Sequence, residues 1–122
     1  MADSVLDRPI EAETIGTLLA RNADKYGSDI AIREKELGIW KETSWAEYTE
    51  EVLACSAGLE KIGIKPGQAV LILGDNRALL YAGMLALALV GAYAMPAYPG
   101  VTLDELRHFV GEVEIVAAFA ED

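Results

Sequence analysis

The sequence predicts an α/β fold built mainly on a parallel sheet, with covering helices and an N-terminal β-hairpin. Two observations support this prediction. The apolar run Ala69 to Leu73, bounded by Pro66-Gly67 and Gly74, is typical of a short strand that is buried on both faces. The apolar run Ala78 to Val90 then separates it from a second strand near Tyr93 to Met95, and a strand–helix–strand unit of this length joins parallel strands by a right-handed crossover.

The ends of this central unit carry local signals. Asp75 or Asn76 can cap the helix by accepting a bond from a free first-turn amide, and Gly91 ends it. We expect the second strand to end at Pro96. No residue from Ala78 to Met95 is charged, so a transmembrane helix is an alternative. Gly91 and Pro96 interrupt the run and no Lys/Arg cluster flanks it, so we predict a buried helix and no transmembrane segment.

The chain before this unit divides into a leader arm, residues 1–13, a helix and a hairpin. Thr14 can cap the first helix, and Gly27 follows its end. The apolar positions of this helix are Ile15, Leu18, Leu19 and Tyr26. Two strand-like runs, Asp29 to Glu34 and Ile39 to Thr43, flank Lys35-Glu36-Leu37-Gly38, where Gly38 can adopt a positive φ. We therefore predict an antiparallel hairpin.

Two further helices begin with capping boxes. Ser44 and Glu47 start a long helix that Gly63 ends, and Thr102 and Glu105 start a shorter one that ends at Gly111. The predicted core stripe of the long helix comprises Trp45, Tyr48, Val52, Cys55, Leu59 and Ile62. The shorter helix is predicted to place Leu103, Leu106 and Val110 inward. A last strand, Glu114 to Ala120, completes the pattern.

Composition excludes several classes of function. The 122 residues are 52% hydrophobic, enough for one compact domain or part of one. Ten basic and 20 acidic residues give a net charge of -10, which repels nucleic acid and anionic lipid. The single Cys55 cannot form an internal disulfide, and the acidic N-terminus lacks the pattern of a secretory signal. We therefore expect a cytoplasmic protein that does not bind nucleic acid.

The residues themselves assign no catalytic, cofactor-binding or metal-binding side chain. The chain has neither of the glycine-rich phosphate-binding motifs GxxxxGK[ST] and GxGxxG. The turn Gly74-Asp75-Asn76 has one glycine and an acidic residue that would repel phosphate, so a helix cap is favoured there. No G-x-S-x-G motif is present, and Cys55 lies in an apolar stripe that would raise its pKa.

Three weaker candidates remain open. His108 could share a helix face with Asp104, Glu105 and Glu112 and ligate a metal, but a lone imidazole on a solvated face is the favoured interpretation. Trp40 and Trp45 could form an aromatic binding platform, although packing on the helix stripe is favoured. Tyr93 and Tyr98 bracket the end of a parallel strand, where open α/β sheets bind ligands, which makes Tyr98 a weak site candidate.

Three ordered segments carry a family resemblance. They are GIW-x-x-x-SWAEY (Gly38 to Tyr48), GL-x-x-x-GIKPGQAVLILGDNR (Gly58 to Arg77) and GAYAMPAYP (Gly91 to Pro99). In this order and spacing they resemble the N-terminal part of AMP-forming acyl-CoA synthetases, in particular the long-chain fatty acid branch. The likeness extends from about Thr14 to Asp122. Ala97 departs from it, since relatives usually carry a bulkier apolar residue there.

The resemblance implies that residues 14–122 are a truncated N-terminal portion of an adenylation domain. The implied parent uses ATP and Mg²⁺ to convert a fatty acid to an acyl-adenylate and then transfers the acyl group to CoA. In the family, the phosphate loop, the nucleotide contacts and a catalytic Lys lie downstream of the matched part, so the resemblance implies no catalytic residue in this chain. We expect the chain alone to be inactive and to self-associate, because the remainder of the parent would cover its sheet edge. A short non-catalytic scaffold or dimerisation domain of the same fold is the alternative, and a flavodoxin-like nucleotide-binding domain is a weaker one.

Overall fold

The computed structural model describes residues 14–121, so the leader arm predicted for residues 1–13 lies outside the described residues. In chain order the elements are α1 (Ile15–Tyr26), β1 (Ile30–Glu36), β2 (Ile39–Ser44), α2 (Trp45–Lys61), β3 (Ala69–Leu73), α3 (Ala78–Leu89), β4 (Tyr93–Ala97), α4 (Leu103–Glu112) and β5 (Ile115–Ala120). No helix within this range is both long and apolar enough to cross a membrane.

The predicted fold class is confirmed. β3, β4 and β5 form a three-stranded parallel sheet in the order β4-β3-β5, and β1 pairs with β2 in a separate antiparallel hairpin. β3 has the predicted bounds and occupies the centre of the sheet. The crossover through α3 leads from β3 to β4, whereas the crossover through α4 leads back past β3 to β5. Right-handed crossovers in opposite directions place α3 and α4 on opposite faces of the sheet.

The core lies between the sheet and the helix pair α2 and α3. Its largest fully buried side chains are Ile72, Leu87, Val52 and Val70. Val70 and Ile72 of β3 pack in this core, while the alternating Ala69 and Leu71 are buried outside it, as expected for residues on the opposite face of a strand. Small residues of α3, Ala82 and Ala86, are fully buried and permit close packing.

The hairpin is confirmed with a tighter turn than predicted. Lys35 and Glu36 extend β1, and only Leu37 and Gly38 connect the strands. Both have positive φ, 49° and 81°, as a two-residue type I′ connection requires. The sequence predicted the positive φ of Gly38 but not that of Leu37, a residue type that rarely adopts it.

The capping box of α2 is confirmed, and its stripe is confirmed in part. Ser44 Oγ accepts from the Glu47 amide at 3.2 Å, and Glu47 Oε2 accepts from the Ser44 amide at 2.9 Å. Tyr48, Val52 and Leu59 are buried. Ile62 was wrongly predicted to be in the core: it is 68% exposed because the helix has ended at Lys61 and the chain turns at Gly63, whose φ is 92°. In α1, the cap by Thr14 is confirmed, but only Leu19 of the predicted stripe is buried.

Helix α4 and strand β4 also differ from prediction. The Thr102–Glu105 capping box is present, but α4 ends at Glu112 rather than at Gly111 and has no buried residue. Leu103 and Val110, predicted to point inward, are exposed. β4 continues through Pro96 to Ala97. Pro96 is tolerated inside it because β4 is an edge strand, where one row of peptide groups has no partner in the sheet.

Candidate ligand crevice at the carboxyl ends of β3 and β5

The sheet topology identifies the carboxyl ends of β3 and β5 as a candidate ligand site. The two crossovers leave β3 and β5 adjacent to each other with their connecting helices on opposite sides. In open α/β sheets, ligands bind outside the carboxyl ends of the strands at such a topological switch point. Here β3 ends at Leu73 and β5 at Ala120, and the turn Gly74 to Arg77 and residue Glu121 follow them.

Glu121 organises this edge. Its Oε2 accepts from the Asp75 amide at 2.9 Å, and its Oε1 lies 2.8 Å from Arg77 Nε. The Glu121 amide donates to the Leu73 carbonyl at 2.9 Å, which extends the pairing of β5 with β3 by one bond. Gly74 makes room for this arrangement, since a Cβ at that position would lie 3.0 Å from Glu121 Oε2. One carboxylate therefore holds the turn that precedes α3.

The N-terminus of α3 is capped from another part of the chain. Neither Asp75 nor Asn76 caps the helix, contrary to the sequence prediction; the N-cap residue is Arg77, whose side chain makes no capping bond. Glu34 of β1 instead brings its Oε1 to 3.3 Å from the Ala78 amide. The carboxylate also complements the positive end of the helix dipole. Glu34 thus links the hairpin to the parallel-sheet unit.

A cavity of about 550 Å³ opens between these groups, the hairpin and α2. Its apolar wall includes Ile72, Leu80, Phe119 and the half-buried Cys55. Its charged side chains are Glu34, Glu36, Glu51, Glu121, Lys41 and Arg77. The volume is in the usual range for small-molecule sites, but the charges are mostly negative and two of the carboxylates already hold backbone amides.

The polar groups that line the crevice are unfavourable for the triphosphate of a nucleotide. A phosphate site at a helix N-terminus needs several free backbone amides. The amides of Asp75 and Ala78 are instead bonded to carboxylates, and further carboxylates line the cavity. Like-charge repulsion would oppose any phosphate entering there.

Two titratable groups near the α2–α3 packing are perturbed by burial. Burial raises the pKa of the Cys55 thiol, and the nearby Glu51 raises it further, so the thiol is held in its neutral form as predicted. Burial, with smaller contributions from Glu51 and Tyr81, raises the pKa of Tyr48 to about 12. Neither shift produces a reactive anion at neutral pH.

The weaker candidates from the sequence are not brought together. Tyr98 follows β4 and is 86% exposed, and it does not line the crevice. Trp45 packs against the core as predicted, but Trp40 is exposed, with Lys35 Nζ 5.8 Å from its ring centroid. In the part of the chain that the structure describes, no group of three or more His, Cys, Asp or Glu side chains is arranged to hold a metal ion.

Two of the three carboxylates near His108 in the sequence have other partners. Asp104 pairs with Arg107 at 3.5 Å, and Glu105 accepts from the Thr102 amide at 2.8 Å. This hydrogen bond to Thr102 lowers the pKa of Glu105. The favoured interpretation of His108 as a solvated helix residue is therefore consistent with the geometry.

Sequence reasoning missed Glu34 and Glu121. Glu34 lies in a strand with several charges, and Glu121 follows the last apolar run; no local spacing distinguishes either one. Their bonds reach 44 and 46 residues along the chain. Only the placement of β1 beside α3, and of β5 beside β3, could identify them.

The chain is similar to a known protein family and to individual members of known function. Residues 19–122 match the family described as AMP-binding enzyme. The chain is 31% identical over 87 residues to the long-chain-fatty-acid–CoA ligase FadD15 of Mycobacterium tuberculosis, which covers 69% of this chain and 14% of the relative. It is 27% identical over 99 residues to the long-chain-fatty-acid–CoA ligase ACSBG2 of Xenopus laevis, covering 81% and 13% respectively. The chain thus spans about a seventh of the curated relatives it matches.

Solved structures share the fold. A fatty acid AMP ligase from Legionella pneumophila superposes with a TM-score of 0.80 at 20% identity, over 88% of this chain and 19% of that one. NpsA of Klebsiella oxytoca, in complex with 3-hydroxyanthranilyl-AMSN, gives a TM-score of 0.84 at 17% identity, over 92% and 22%. At these identities the likeness establishes the fold, which is that of the N-terminal part of adenylate-forming enzymes.

Proposed function

This chain belongs to the family of AMP-binding enzymes, and on that premise we propose that it is the N-terminal part of an ATP-dependent fatty acid–CoA ligase. The parent would join a fatty acid to ATP as an acyl-adenylate, release pyrophosphate and transfer the acyl group to the thiol of CoA. The observation that supports this is the identity to long-chain-fatty-acid–CoA ligases over 69–81% of the chain. The small share of those relatives that is matched supports the assignment to one part of a larger enzyme.

In this proposal, residues 14–121 supply a scaffold rather than reacting groups. The parallel sheet and its buried helix α3 would support the remainder of the adenylation domain. ATP, Mg²⁺ and CoA would be bound by that remainder, because two backbone amides at the crevice, those of Asp75 and Ala78, already donate to Glu121 and Glu34. The fatty acid would also react with ATP in that remainder. A cytoplasmic location is part of the proposal, since ATP and CoA are available in that compartment.

The test compares two proteins that share every residue discussed here. One is the 122-residue chain, and the other is the product of its reading frame extended to the stop codon. Each is supplied with ATP, Mg²⁺, CoA and fatty acids of short, medium and long chain. We expect pyrophosphate release and acyl-CoA formation from the extended protein only, and no ATP binding by calorimetry to the short chain.

The outcomes separate the proposal from its rival. Acyl-CoA formation by the 122-residue chain would contradict the assignment of the chemistry to another segment. A stop codon directly after Asp122, or an extended protein that folds but activates none of the acids, would instead favour the non-catalytic scaffold of the same fold. Reactions without the fatty acid and without CoA distinguish adenylation from simple ATP hydrolysis.

A further inference from the structure

The connection of the β1–β2 hairpin holds a leucine in an unfavourable backbone conformation. Leu37 has a φ of 49°, in the left-handed region that favours glycine, asparagine and aspartate. Leucine is disfavoured there because its Cβ crowds the following carbonyl oxygen. Residues held in such conformations cluster at binding and switch sites. Leu37 is 96% exposed, so packing within the described residues does not compensate for the conformation.

Leu37 belongs to a group of exposed apolar side chains, Leu37, Ile39 and Trp40, which we call the hairpin tip. Successive residues of a strand point to opposite faces, so Ile39 and Trp40 lie on the two sides of the hairpin, with Leu37 at its end. A Cβ at Gly38 would meet nothing within 4 Å, because the connection projects into open space. The hairpin tip is therefore a convex apolar wedge and not the wall of a groove.

Charged side chains surround the hairpin tip and cancel one another. Residues 33–42 contain three basic and three acidic side chains, which sum to zero, so the net charge of -10 lies entirely outside them. Arg33 pairs with Glu42 across the hairpin at 3.1 Å. Lys35 lies opposite Trp40, with its Nζ 5.8 Å from the ring centroid. Exposed apolar surface with a polar rim of this kind marks a site of interaction with a protein or a membrane.

Shape and charge favour a lipid surface over a protein as the partner of the hairpin tip. A wedge with apolar side chains on both sides and at its end is covered only by a medium that surrounds it, as acyl chains do. Tryptophan is enriched where acyl chains meet headgroups, because its ring is apolar and its indole N–H is polar. Lysine side chains extend from such positions towards the headgroups. A rim without net charge suits zwitterionic headgroups, whereas anionic ones repel the rest of the chain.

We propose that the hairpin tip inserts into the interface of a bilayer of zwitterionic phospholipid, with Leu37 and Ile39 among the acyl chains and Trp40 at the level of the headgroups. Insertion buries the Leu37 side chain, which explains an apolar residue at a position that suits asparagine. A ligase of fatty acids would thereby be held at the surface into which those acids partition. That consequence rests on the proposed function, whereas binding to the bilayer does not.

The first experiment uses the two tryptophans of the chain as reporters. Trp45→Phe leaves Trp40 as the single tryptophan, and Trp40→Phe leaves Trp45, which packs against the core. Each variant is titrated with phosphatidylcholine vesicles, and circular dichroism checks that it is folded. We expect Trp40 emission to shift to the blue and to be quenched by phosphatidylcholine brominated on its acyl chains, while Trp45 emission stays unchanged. Equal responses of the two tryptophans would overturn the proposal.

The second experiment separates lipid binding from folding. Asparagine adopts a positive φ readily, so Leu37→Asn should be at least as stable as the unsubstituted chain in thermal melts. Its partition into phosphatidylcholine vesicles, measured by co-sedimentation, should fall by about tenfold because one buried apolar side chain is lost. The matched control is Ile62→Asn, which replaces another exposed side chain about 25 Å along α2 from the hairpin and should leave the partition unchanged.

Both measurements are repeated with the protein extended to its stop codon, and with vesicles that contain anionic phosphatidylglycerol. We expect the extended protein to bind through the same hairpin tip, and the anionic lipid to weaken binding. No ATP, fatty acid or CoA is present, so the result is independent of ligase activity. The proposal is overturned by binding that requires anionic lipid, that Leu37→Asn and Ile62→Asn reduce equally, or that the extended protein lacks. A chain that binds no vesicle would also overturn it and would indicate a protein partner for the hairpin tip.

Discussion

Replacing Leu87 with alanine tests whether α3 is the centre of the core. The Leu87 side chain is fully buried, and it packs in the cluster that includes Val52 and Val70. The change removes three carbon atoms, worth about 2.4 kcal/mol at ~0.8 kcal/mol per buried methylene. A cavity in a well-packed site adds to this, and such substitutions cost about 2–5 kcal/mol in total. We expect the free energy of unfolding to fall by about 3–4 kcal/mol.

The matched control lies on the same helix. Leu79 is 68% exposed, so Leu79→Ala makes the same chemical change outside the core and should alter stability by less than about 0.5 kcal/mol. A milder variant, Leu87→Met, keeps most of the volume and should cost less than about 1.5 kcal/mol.

Urea denaturation followed by circular dichroism measures all three variants. A loss of this size would be a large part of the ~5–15 kcal/mol that stabilises a typical domain. The midpoint should shift without a change in slope, because the surface exposed on unfolding is nearly unchanged. Equal, small effects of Leu87→Ala and Leu79→Ala would refute the placement of α3 between the sheet and α2.

Two other predictions concern a phenol and a pair of glycines. Burial raises the pKa of Tyr48 from 10.0 to about 12 in the folded chain, so the contribution of this side chain to the free energy of unfolding is fully present below pH 10 and is lost as the pH rises towards 12. The loss of stability at alkaline pH should therefore be smaller in Tyr48→Phe. Urea midpoints that fall equally with pH in both proteins would contradict this. Gly58→Ala should stabilise the chain by about 0.5–1 kcal/mol, since the new Cβ in α2 meets nothing within 4 Å. Gly74→Ala should destabilise the chain, since the new Cβ would lie too close to Glu121. If thermal melts rank Gly74→Ala above Gly58→Ala in stability, the contact between Gly74 and Glu121 is not formed.

Much of the fold was predictable because its signals are local. The capping boxes at Ser44 and Thr102 each act across three residues, and both are present. The bounds of β3 follow from an apolar run between turn residues. The family resemblance was also correct, since residues 19–122 match the AMP-binding enzymes.

The errors arose where burial depends on neighbours distant in sequence. The periodicity of α4 correctly predicts a helix, yet its apolar positions Leu103 and Val110 are exposed because no other element of the described chain covers them. Ile62 continues an apolar stripe, but the helix ends before it. The sequence predicts that β4 ends at Pro96, but the strand continues to Ala97 because an edge strand can include proline.

By itself, the sequence determined the type and order of the elements, the parallel pairing implied by the strand–helix–strand unit, and the family. These depend on hydrophobic period, turn residues and capping spacing, which act over a few residues. Only the tertiary structure decided what holds the β3–α3 turn. Glu34 reaches the Ala78 amide across 44 residues and Glu121 reaches the Asp75 amide across 46, so the capping groups come from elements that meet only when the chain has folded. No local sequence pattern predicts such a bond for a charged residue within or just after a strand, because tertiary packing rather than sequence spacing determines its partner.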